Sequence, residues 1–391
     1  MNNNDSNVFD LIRVDAGNND VAAALDKLAA SLTESGQHHP LFEALKMQTR
    51  HRLNLPLIYD PQREKLDAET QAEFDNRLLD ACRTVGQLLI ADQKLGEAWV
   101  YLQPLDDREL VEPLIENYQV TDDNADEVID IALMQLAAPA TGFRLVLERY
   151  GTCDAISTFE SIAHTFDDAA TRARLAEMLT AHLHGELVEH LKNHLAEYKL
   201  ASDLSFKDLV QTQDKVQTDA GPLVDMTHLA STLRIGRCAN SRDAYLQLCE
   251  LAEYGCLFDE FYEAGGDWPF EHIFDDHLIY FGALAADTAD VEVVAQAIKF
   301  FDDKSKSTQD DPFHPVSDEV FVDLLFRLGR NTEAIKVSLE RLSKREELIG
   351  IAPSVHQMAT EPEHFRMLES HYLAENDLLG FTVAVLSGTD K

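Results

Sequence analysis

The chain has 391 residues, of which 70 are acidic and 33 are basic, so its formal net charge is −37. A field of that sign repels nucleic-acid phosphates and anionic lipid surfaces, which argues against both as partners. We therefore expect no binding to duplex DNA at moderate ionic strength. With 45% hydrophobic residues, the chain carries enough apolar surface for a substantial core.

Cysteine usage and apolar runs predict where the protein resides. There is no Cys-x-x-Cys pair, and a sparse, odd number of cysteines is typical of reduced thiols. The polar N-terminus lacks the basic and apolar regions of a signal peptide. No apolar run approaches the ~18 residues that a membrane span requires. A soluble, cytoplasmic protein is predicted. The cysteines are Cys82, Cys153, Cys238, Cys249 and Cys256.

Helical periodicity recurs along almost the whole chain, with Gly or Pro between the periodic stretches. Helices are predicted over 21–35, 41–53, 68–93, 108–118, 123–136, 141–150, 154–165, 168–200, 226–238, 241–256, 269–286, 291–301, 318–328 and 332–343. Val8–Val14 is predicted as a short extended piece, 201–221 as a polar segment, and 304–315 as a charged linker. The pattern predicts an all-α fold of serial antiparallel helix pairs, of the α-solenoid or tetratricopeptide-like kind. The expected domains are 1–200, 222–303 and 316–391.

One stretch carries a family resemblance. Arg-Leu-Gly-Arg-Asn-Thr-Glu-Ala-Ile over 327–335 resembles the turn between the two helices of a tetratricopeptide repeat, where a Gly ends the first helix and an Ala packs in the second. The match covers about one 34-residue unit, at 318–346, and departs from the pattern at Ser338, Arg341 and Glu346. The resemblance implies helix–turn–helix packing and binding to a protein or peptide partner.

The long helix predicted over 168–200 contains the densest set of ligand-type side chains. His182, Glu186 and His190 follow one another at i,i+4 spacing, so neighbours in this row can meet. With His228 and His277 from later helices, they are candidate ligands for zinc, iron or manganese. The zinc motif His-Glu-x-x-His is absent. The simpler interpretation is an amphipathic helix with these residues on its polar face. Its apolar face would carry Leu183, Leu187, Leu191 and Leu195.

The stretch that follows the polar segment suggests an anion site. Asp225 or Thr227 can cap a helix whose first turn contains His228, and the free N–H groups of that turn favour anions. Arg234 and Arg237 come one and two turns later. A carboxylate or phosphate could bind there. The alternative is a capped helix with a surface histidine and two solvated arginines.

His277 and Cys153 are two further candidate positions. His277 lies in an aromatic stretch beside Asp276, where a buried histidine could act as a base or a ligand, although a satisfied core histidine is the simpler interpretation. Cys153 lies near a predicted helix N-terminus, which lowers a thiol pKa, but no partner for a nucleophile is recognisable.

No complete catalytic motif occurs, so the sequence identifies no catalytic or cofactor-binding residues and does not decide whether the protein is an enzyme. We expect a helical-repeat scaffold that binds a protein or peptide. The alternative hypothesis is a helical metalloprotein or metal-dependent enzyme that uses the histidine and glutamate residues of the long helix.

Overall fold

A computed structural model describes residues 3–59, 66–166, 168–198, 204–216, 221–258, 268–307, 316–343 and 348–389. Every regular element within these ranges is helical, and they contain no strand. Most consecutive helices pack against each other, as predicted for helix pairs in series. The all-α prediction is confirmed.

The helices follow each other with short connections. They are α1 (Asn3–Gly17), α2 (Val21–Glu34), α3 (His38–Arg52), α4 (Ala68–Ala91), α5 (Leu95–Leu102), α6 (Arg108–Glu116), α7 (Ala125–Ile129), α8 (Pro139–Ile162), α9 (Ala169–Glu197), α10 (Phe206–Val216), α11 (Met226–Gly236), α12 (Arg242–Cys256), α13 (Ile273–Ala285), α14 (Val291–Ser307), α15 (Val316–Arg327), α16 (Asn331–Val337), α17 (Val355–Met358), α18 (Pro362–Ala374) and α19 (Leu378–Thr389). Two π-helical turns follow α7 and α16, at Asp130–Met134 and Ser338–Leu342.

The chain divides into two compact units, unit 1 at 1–150 and unit 2 at 151–391. The boundary falls inside α8, where Gly151 has a non-helical backbone with φ 78° and ψ −171°. A residue with a Cβ rarely adopts that conformation, so the glycine interrupts the helix. The predicted helix end before Gly151 is thereby confirmed. The division into domains 1–200, 222–303 and 316–391 stays a prediction.

Unit 1 is held together by the apolar faces of its consecutive helices. Its core includes fully buried side chains from α4, α5, α6 and α7. Representative members are Val85, Leu89, Leu95, Ala98, Ile115 and Val128, all with no exposed surface. Burial of such side chains stabilises a fold by about 1.5–3 kcal/mol each.

Unit 2 is organised on the long helix α9, which packs against α10, α11 and α12. The predicted apolar face is confirmed, because its four leucines at i,i+4 spacing are at most 1% exposed and belong to one core. These are Leu183, Leu187, Leu191 and Leu195. The row formed by His182, Glu186 and His190 faces away from that core, as expected for an amphipathic helix.

Close approach of α12 and α13 depends on one glycine. A Cβ at Gly255 would lie 2.2 Å from the Phe274 ring, so only glycine permits this packing. Further along, α15 ends at Arg327, Gly329 takes a left-handed φ of 72°, and Ala334 is fully buried in α16. This is the helix–turn–helix that the tetratricopeptide-like stretch implies. Its departure from the pattern at Ser338 coincides with the start of the second π-helical turn.

One local prediction was wrong, and a second was incomplete. The stretch Val8–Val14 is part of α1 and not an extended piece, because packing against α2 outweighs the β-propensity of its branched residues. Within 201–221, for which the sequence analysis gives only a polar segment, the structure has α10, which packs against α9 and buries Phe206 and Leu209. Of the predicted linker 304–315, residues 304–307 belong to α14 and 308–315 lie outside the described residues.

None of the helices that the structure describes combines the length and the hydropathy that a membrane-spanning helix needs.

Candidate functional site

On α9, the structure brings together one pair of the predicted metal ligands. His182 Nε2 lies 3.3 Å from Glu186 Oε1, and the other carboxylate oxygen of Glu186 accepts a hydrogen bond from the Thr152 hydroxyl at 2.9 Å. His190 is engaged elsewhere, because its Nδ1 lies 3.0 Å from the carbonyl oxygen of Leu223. The i,i+4 contact is therefore the ordinary ion-pair geometry of a helix surface.

His228 lies in the first turn of α11, as predicted. Asp225 caps this helix by accepting hydrogen bonds from the backbone N–H groups of Thr227 and His228, at 2.7 and 3.3 Å. A further bond from the Thr227 hydroxyl lowers the pKa of the Asp225 carboxyl. The negative charge of Asp225 thus already occupies the helix N-terminus that the sequence suggested for an external anion.

His277 is fully buried in the core of unit 2. Its Nδ1 lies 2.6 Å from the carbonyl oxygen of Ile273, and its ring stacks on Phe270 with centroids 4.1 Å apart. The neighbouring carboxylate of Asp276 is paired with Lys304, at 2.8 Å. His277 is therefore a core histidine whose Nδ1 proton is committed to the backbone.

All five predicted metal ligands lie in the described ranges. Within those ranges, no group of three or more His, Cys, Asp or Glu side chains is placed to hold a metal ion. His228 and His277 therefore do not complete the pair on α9. Metal binding stays a prediction, which metal analysis of the purified protein before and after chelation would test.

The burial of His277 leads to a prediction about acid stability. Burial lowers its pKa well below the usual value, and the charges of Arg237 and Arg234 lower it further. Unfolding frees the imidazole to take up a proton near pH 6.5. The unfolded state therefore takes up a proton that the buried imidazole does not, so the free energy of unfolding decreases as the pH falls below about 6.5. Between pH 7.5 and 5, the group should remove about 2 kcal/mol from the free energy of unfolding.

The measurement is urea unfolding at both pH values for the wild type and for His277→Phe, which keeps a ring in the same space. The variant should lose about 2 kcal/mol less than the wild type on acidification. The exposed neighbour His272 provides a control, and His272→Gln should keep the wild-type pH dependence. Equal acid sensitivity of His277→Phe and wild type would contradict the assignment.

The most distinctive feature of unit 2 is a cavity of about 470 Å³ that concentrates positive charge. We call it the arginine cavity, because its lining includes Arg172 from α9, Arg234 and Arg237 from α11 and its C-terminus, and Arg327 from α15. Of the described residues that line it, one is acidic, Asp323. This ratio reverses that of the whole chain, where acidic residues outnumber basic ones by 70 to 33.

Two of these arginines each donate one side-chain hydrogen bond in the described structure. Arg172, near the start of α9, donates from Nη1 to the carbonyl oxygen of Phe166 at 2.6 Å. Arg234, in the last turn of α11, donates from Nη2 to the Ser231 hydroxyl at 2.8 Å. Neither forms an ion pair with any residue in the described part of the chain. Because a guanidinium has five N–H donors, both can still bind oxygen atoms of a ligand.

Arg237 lies just beyond the end of α11, where its Nε donates to the carbonyl oxygen of Arg234 at 3.1 Å. Its guanidinium lies over the ring of Phe270, 4.9 Å from the centroid. This cation–π contact holds the guanidinium beside the cavity.

The fourth arginine belongs to a buried polar network. Arg327 donates from Nε to Asp323 Oδ2 at 2.7 Å, and Tyr280 donates to the same oxygen at 2.8 Å. Arg327 Nη1 also donates to the carbonyl oxygen of Ala239 at 2.6 Å and to the Tyr245 hydroxyl at 3.2 Å. These bonds fix one guanidinium on the rigid frame of α13 and α15.

The opposite wall of the arginine cavity is the segment 350–353, which Glu319 anchors. The Glu319 carboxylate is 1% exposed and accepts backbone N–H groups of Ile349, Gly350, Ile351 and Ala352, at 2.6, 2.8, 2.7 and 3.4 Å. Gly350 has a φ of 86°, in the left-handed region that glycine favours. One side chain on α15 therefore sets the shape of this wall.

The electrostatics of Cys238, which also lines the cavity, show that the arginine charges converge. Burial raises the pKa of its thiol, whereas Arg327, Arg237 and Arg172 act in the opposite direction. Burial likewise raises the pKa of Asp323, against the lowering effect of Arg327. Three guanidinium groups from three parts of unit 2 thus act on the same thiol.

These groups suit binding better than catalysis. Guanidinium groups bind carboxylates and phosphates through paired N–H donors. The thiol of Cys238 has a raised pKa, so it is a poor nucleophile. The cavity can therefore hold an oxyanion, with donors from separate helices directed at it.

Part of this site was anticipated in the sequence. Arg234 and Arg237 were predicted to serve an anion site with His228, but the cavity combines them with Arg172 and Arg327 instead. No local signal identified Arg172, since the other arginines of the cavity are more than fifty residues away in the chain. Arg327 begins the tetratricopeptide-like stretch, whose pattern indicates a turn and not a binding site.

No protein-family model matches the chain, and neither the curated proteins nor the solved structures contain a match.

Proposed function

We propose that the protein is a helical binding protein and that its arginine cavity takes an anionic group of a partner protein or peptide. The observation that carries this proposal is the set of four arginines against one carboxylate around a single cavity. Its volume of 470 Å³ falls within the range of small-ligand sites. A helical array that presents such a cavity supports a scaffold or interaction role.

The net charge of −37 opposes this binding only at long range. Exposed charges are screened beyond about 8–10 Å at physiological ionic strength, whereas half-buried groups at close range are screened much less. Arg172, Arg234 and Arg237 are half-buried, so their local field should dominate once an anion has entered. Moderate salt screens the long-range repulsion between the acidic surface and an anion more than the close-range attraction inside the cavity, so it should not abolish association.

A charge-removing variant tests the proposal. We expect Arg172→Gln/Arg234→Gln to weaken the binding of anionic peptides about tenfold or more, because each lost charge-assisted hydrogen bond contributes about 1.5–3 kcal/mol. The probes are short peptides whose only charged side chain is one central glutamate or phosphoserine, and their affinity is measured by calorimetry. Neither arginine has an ion pair in the described part of unit 2, so the fold should tolerate both changes.

Two arginines outside the cavity provide the matched control. Arg174 is exposed on the same helix as Arg172, and Arg366 is exposed on α18. Arg174→Gln/Arg366→Gln makes the same change in net charge and should leave peptide affinity within about twofold, as surface charges have small effects. Equal losses in both double variants, or no binding of either peptide to the wild type, would refute the proposed function.

We further infer a cytoplasmic location. None of the five cysteines, all in the described ranges, forms a disulfide; four of them are at least partly buried and Cys153 is exposed. Thiols without disulfides suit a reducing compartment. We also retain the expectation that duplex DNA is not a partner, because a single internal cavity does not supply the basic surface that releases counterions.

A further inference from the structure

We propose that the anion held by the arginine cavity is a phosphate monoester rather than a carboxylate. This inference rests on the proposed function, since it names the chemistry of the group that the same cavity binds. The phosphate is carried either by a side chain of the partner or by a free small molecule.

The charge balance of the cavity favours a dianion. Among the described residues, four arginines and one aspartate line it. Arg327 is paired with Asp323, whereas Arg172 and Arg234 each form one hydrogen bond and no ion pair in the described part of the chain, so these two arginines alone leave two uncompensated positive charges. A carboxylate brings one negative charge and two acceptor oxygens. A phosphate monoester brings about −1.5 to −2 charges at neutral pH and three acceptor oxygens. Only the second comes close to neutralising a half-buried cluster of this size.

The directions of the available donors also suit a phosphate. The arginines come from α9, the C-terminal end of α11 and α15, so their guanidinium groups reach the cavity from different sides. Arg172 and Arg234 each use one nitrogen for a bond within the described structure. A planar carboxylate pairs edge to edge with one guanidinium through two parallel N–H···O bonds, whereas the three oxygens of a phosphate point in different directions and can accept from several guanidinium groups.

The cavity also has room for the group that carries the phosphate. Its volume of 470 Å³ is that of a small-molecule site and exceeds what one oxyanion fills. The remaining wall includes the apolar residues Val320, Phe326, Ile351 and Pro353. Apolar side chains there would contact the carbon atoms next to the ester oxygen.

The ionisation of the ligand provides the test. A phosphate monoester has a second pKa near 6, so its dianion becomes scarce at pH 5. We expect the affinity for a phosphoserine peptide to fall roughly tenfold between pH 7.5 and pH 5. Sulfate stays a dianion throughout, so its affinity reports any change in the protein itself. The titratable groups that line the cavity are Arg172, Arg234, Arg237, Cys238, Tyr280, Asp323 and Arg327.

Among the lining groups, Asp323 is the one whose protonation would affect anion affinity on acidification, since burial raises its pKa. Its protonation would add positive charge and strengthen the binding of sulfate and phosphoserine alike. If the affinity for the phosphoserine peptide decreases on acidification and the affinity for sulfate does not, the cause is the ionisation of the phosphate itself. At pH 7.5 the phosphoserine peptide should bind about tenfold or more tightly than its glutamate counterpart.

The outcomes separate the two proposals. If the glutamate peptide binds as tightly as the phosphoserine peptide, and both depend on Arg172 and Arg234, the preference for phosphate is wrong and the proposed function stands. If neither peptide binds, both proposals fail. Free O-phosphoserine serves as the last probe. Affinity equal to that of the peptide assigns the site to a small phosphorylated molecule, whereas a much lower affinity assigns it to a phosphorylated partner.

Discussion

Replacement of Arg327 by methionine is expected to lower the free energy of unfolding of unit 2 by about 3–5 kcal/mol. The side chain of Asp323 is 8% exposed, and its ion pair with Arg327 is the only one it forms in the described structure. Without the guanidinium, the carboxylate keeps the Tyr280 hydroxyl but loses its compensating charge. The carbonyl oxygen of Ala239 also loses a charged donor.

The measurement can be restricted to unit 2, because the chain has two tryptophans and they lie in different units. In a Trp99→Phe background, the fluorescence of Trp268 reports urea unfolding of unit 2. The double variant Asp323→Leu/Arg327→Met removes both charges. It should recover at least half of the free energy of unfolding that Arg327→Met loses. Arg330→Met breaks an exposed pair with Glu333 and should cost less than about 1 kcal/mol. A similar small cost for Arg327→Met would show that the buried pair contributes little.

Replacement of Glu319 by alanine is expected to cost about 3 kcal/mol or more, because several N–H groups lose a charged acceptor at once. Water can reach Ile349 and Gly350, which are exposed, but reaches Ile351 and Ala352 less easily. Hydrogen exchange of these amides should accelerate strongly in Glu319→Ala. Fluorescence of Trp268 would again report the stability of unit 2.

The same variant tests whether the wall of the arginine cavity matters for binding. Since the segment 350–353 lines the cavity, its release should weaken anion affinity even though no arginine has changed. Glu333→Ala, on α16, is the control for the removal of a carboxylate, because this side chain is 47% exposed; the change should alter neither stability nor affinity appreciably. Unchanged amide exchange at 349–352 in Glu319→Ala would contradict the anchoring role.

Local sequence signals predicted most helices because they are local in origin. The four leucines of α9 recur at i,i+4 spacing and are buried, and Asp225 caps α11 through its own side chain. Gly151 and Gly329 end helices because both have a left-handed φ. Each of these features depends on residues within a few positions of each other, so one sequence is enough to reveal them.

The sequence was misleading where tertiary packing competes with local propensity. The branched and aromatic residues of Val8–Val14 favour an extended backbone, but this stretch forms a helix that packs against α2. The short apolar pattern of α10 was hidden among polar residues, and its burial against α9 makes it a helix. Contacts with another helix decide such cases, and the sequence of the segment alone does not contain them.

Some features of the candidate site also follow from local sequence, and others follow from tertiary packing. The sequence by itself determined the all-α fold, the amphipathic long helix and the presence of Arg234 and Arg237 along one helix, because periodicity and capping are properties of neighbouring residues. Only the tertiary structure decided that Arg172 and Arg327 join them, that His277 is buried away from Glu186, and that Glu319 anchors 349–352. These groups are separated by tens of residues, and only the packing of α9, α11, α13 and α15 brings their charges into one cavity.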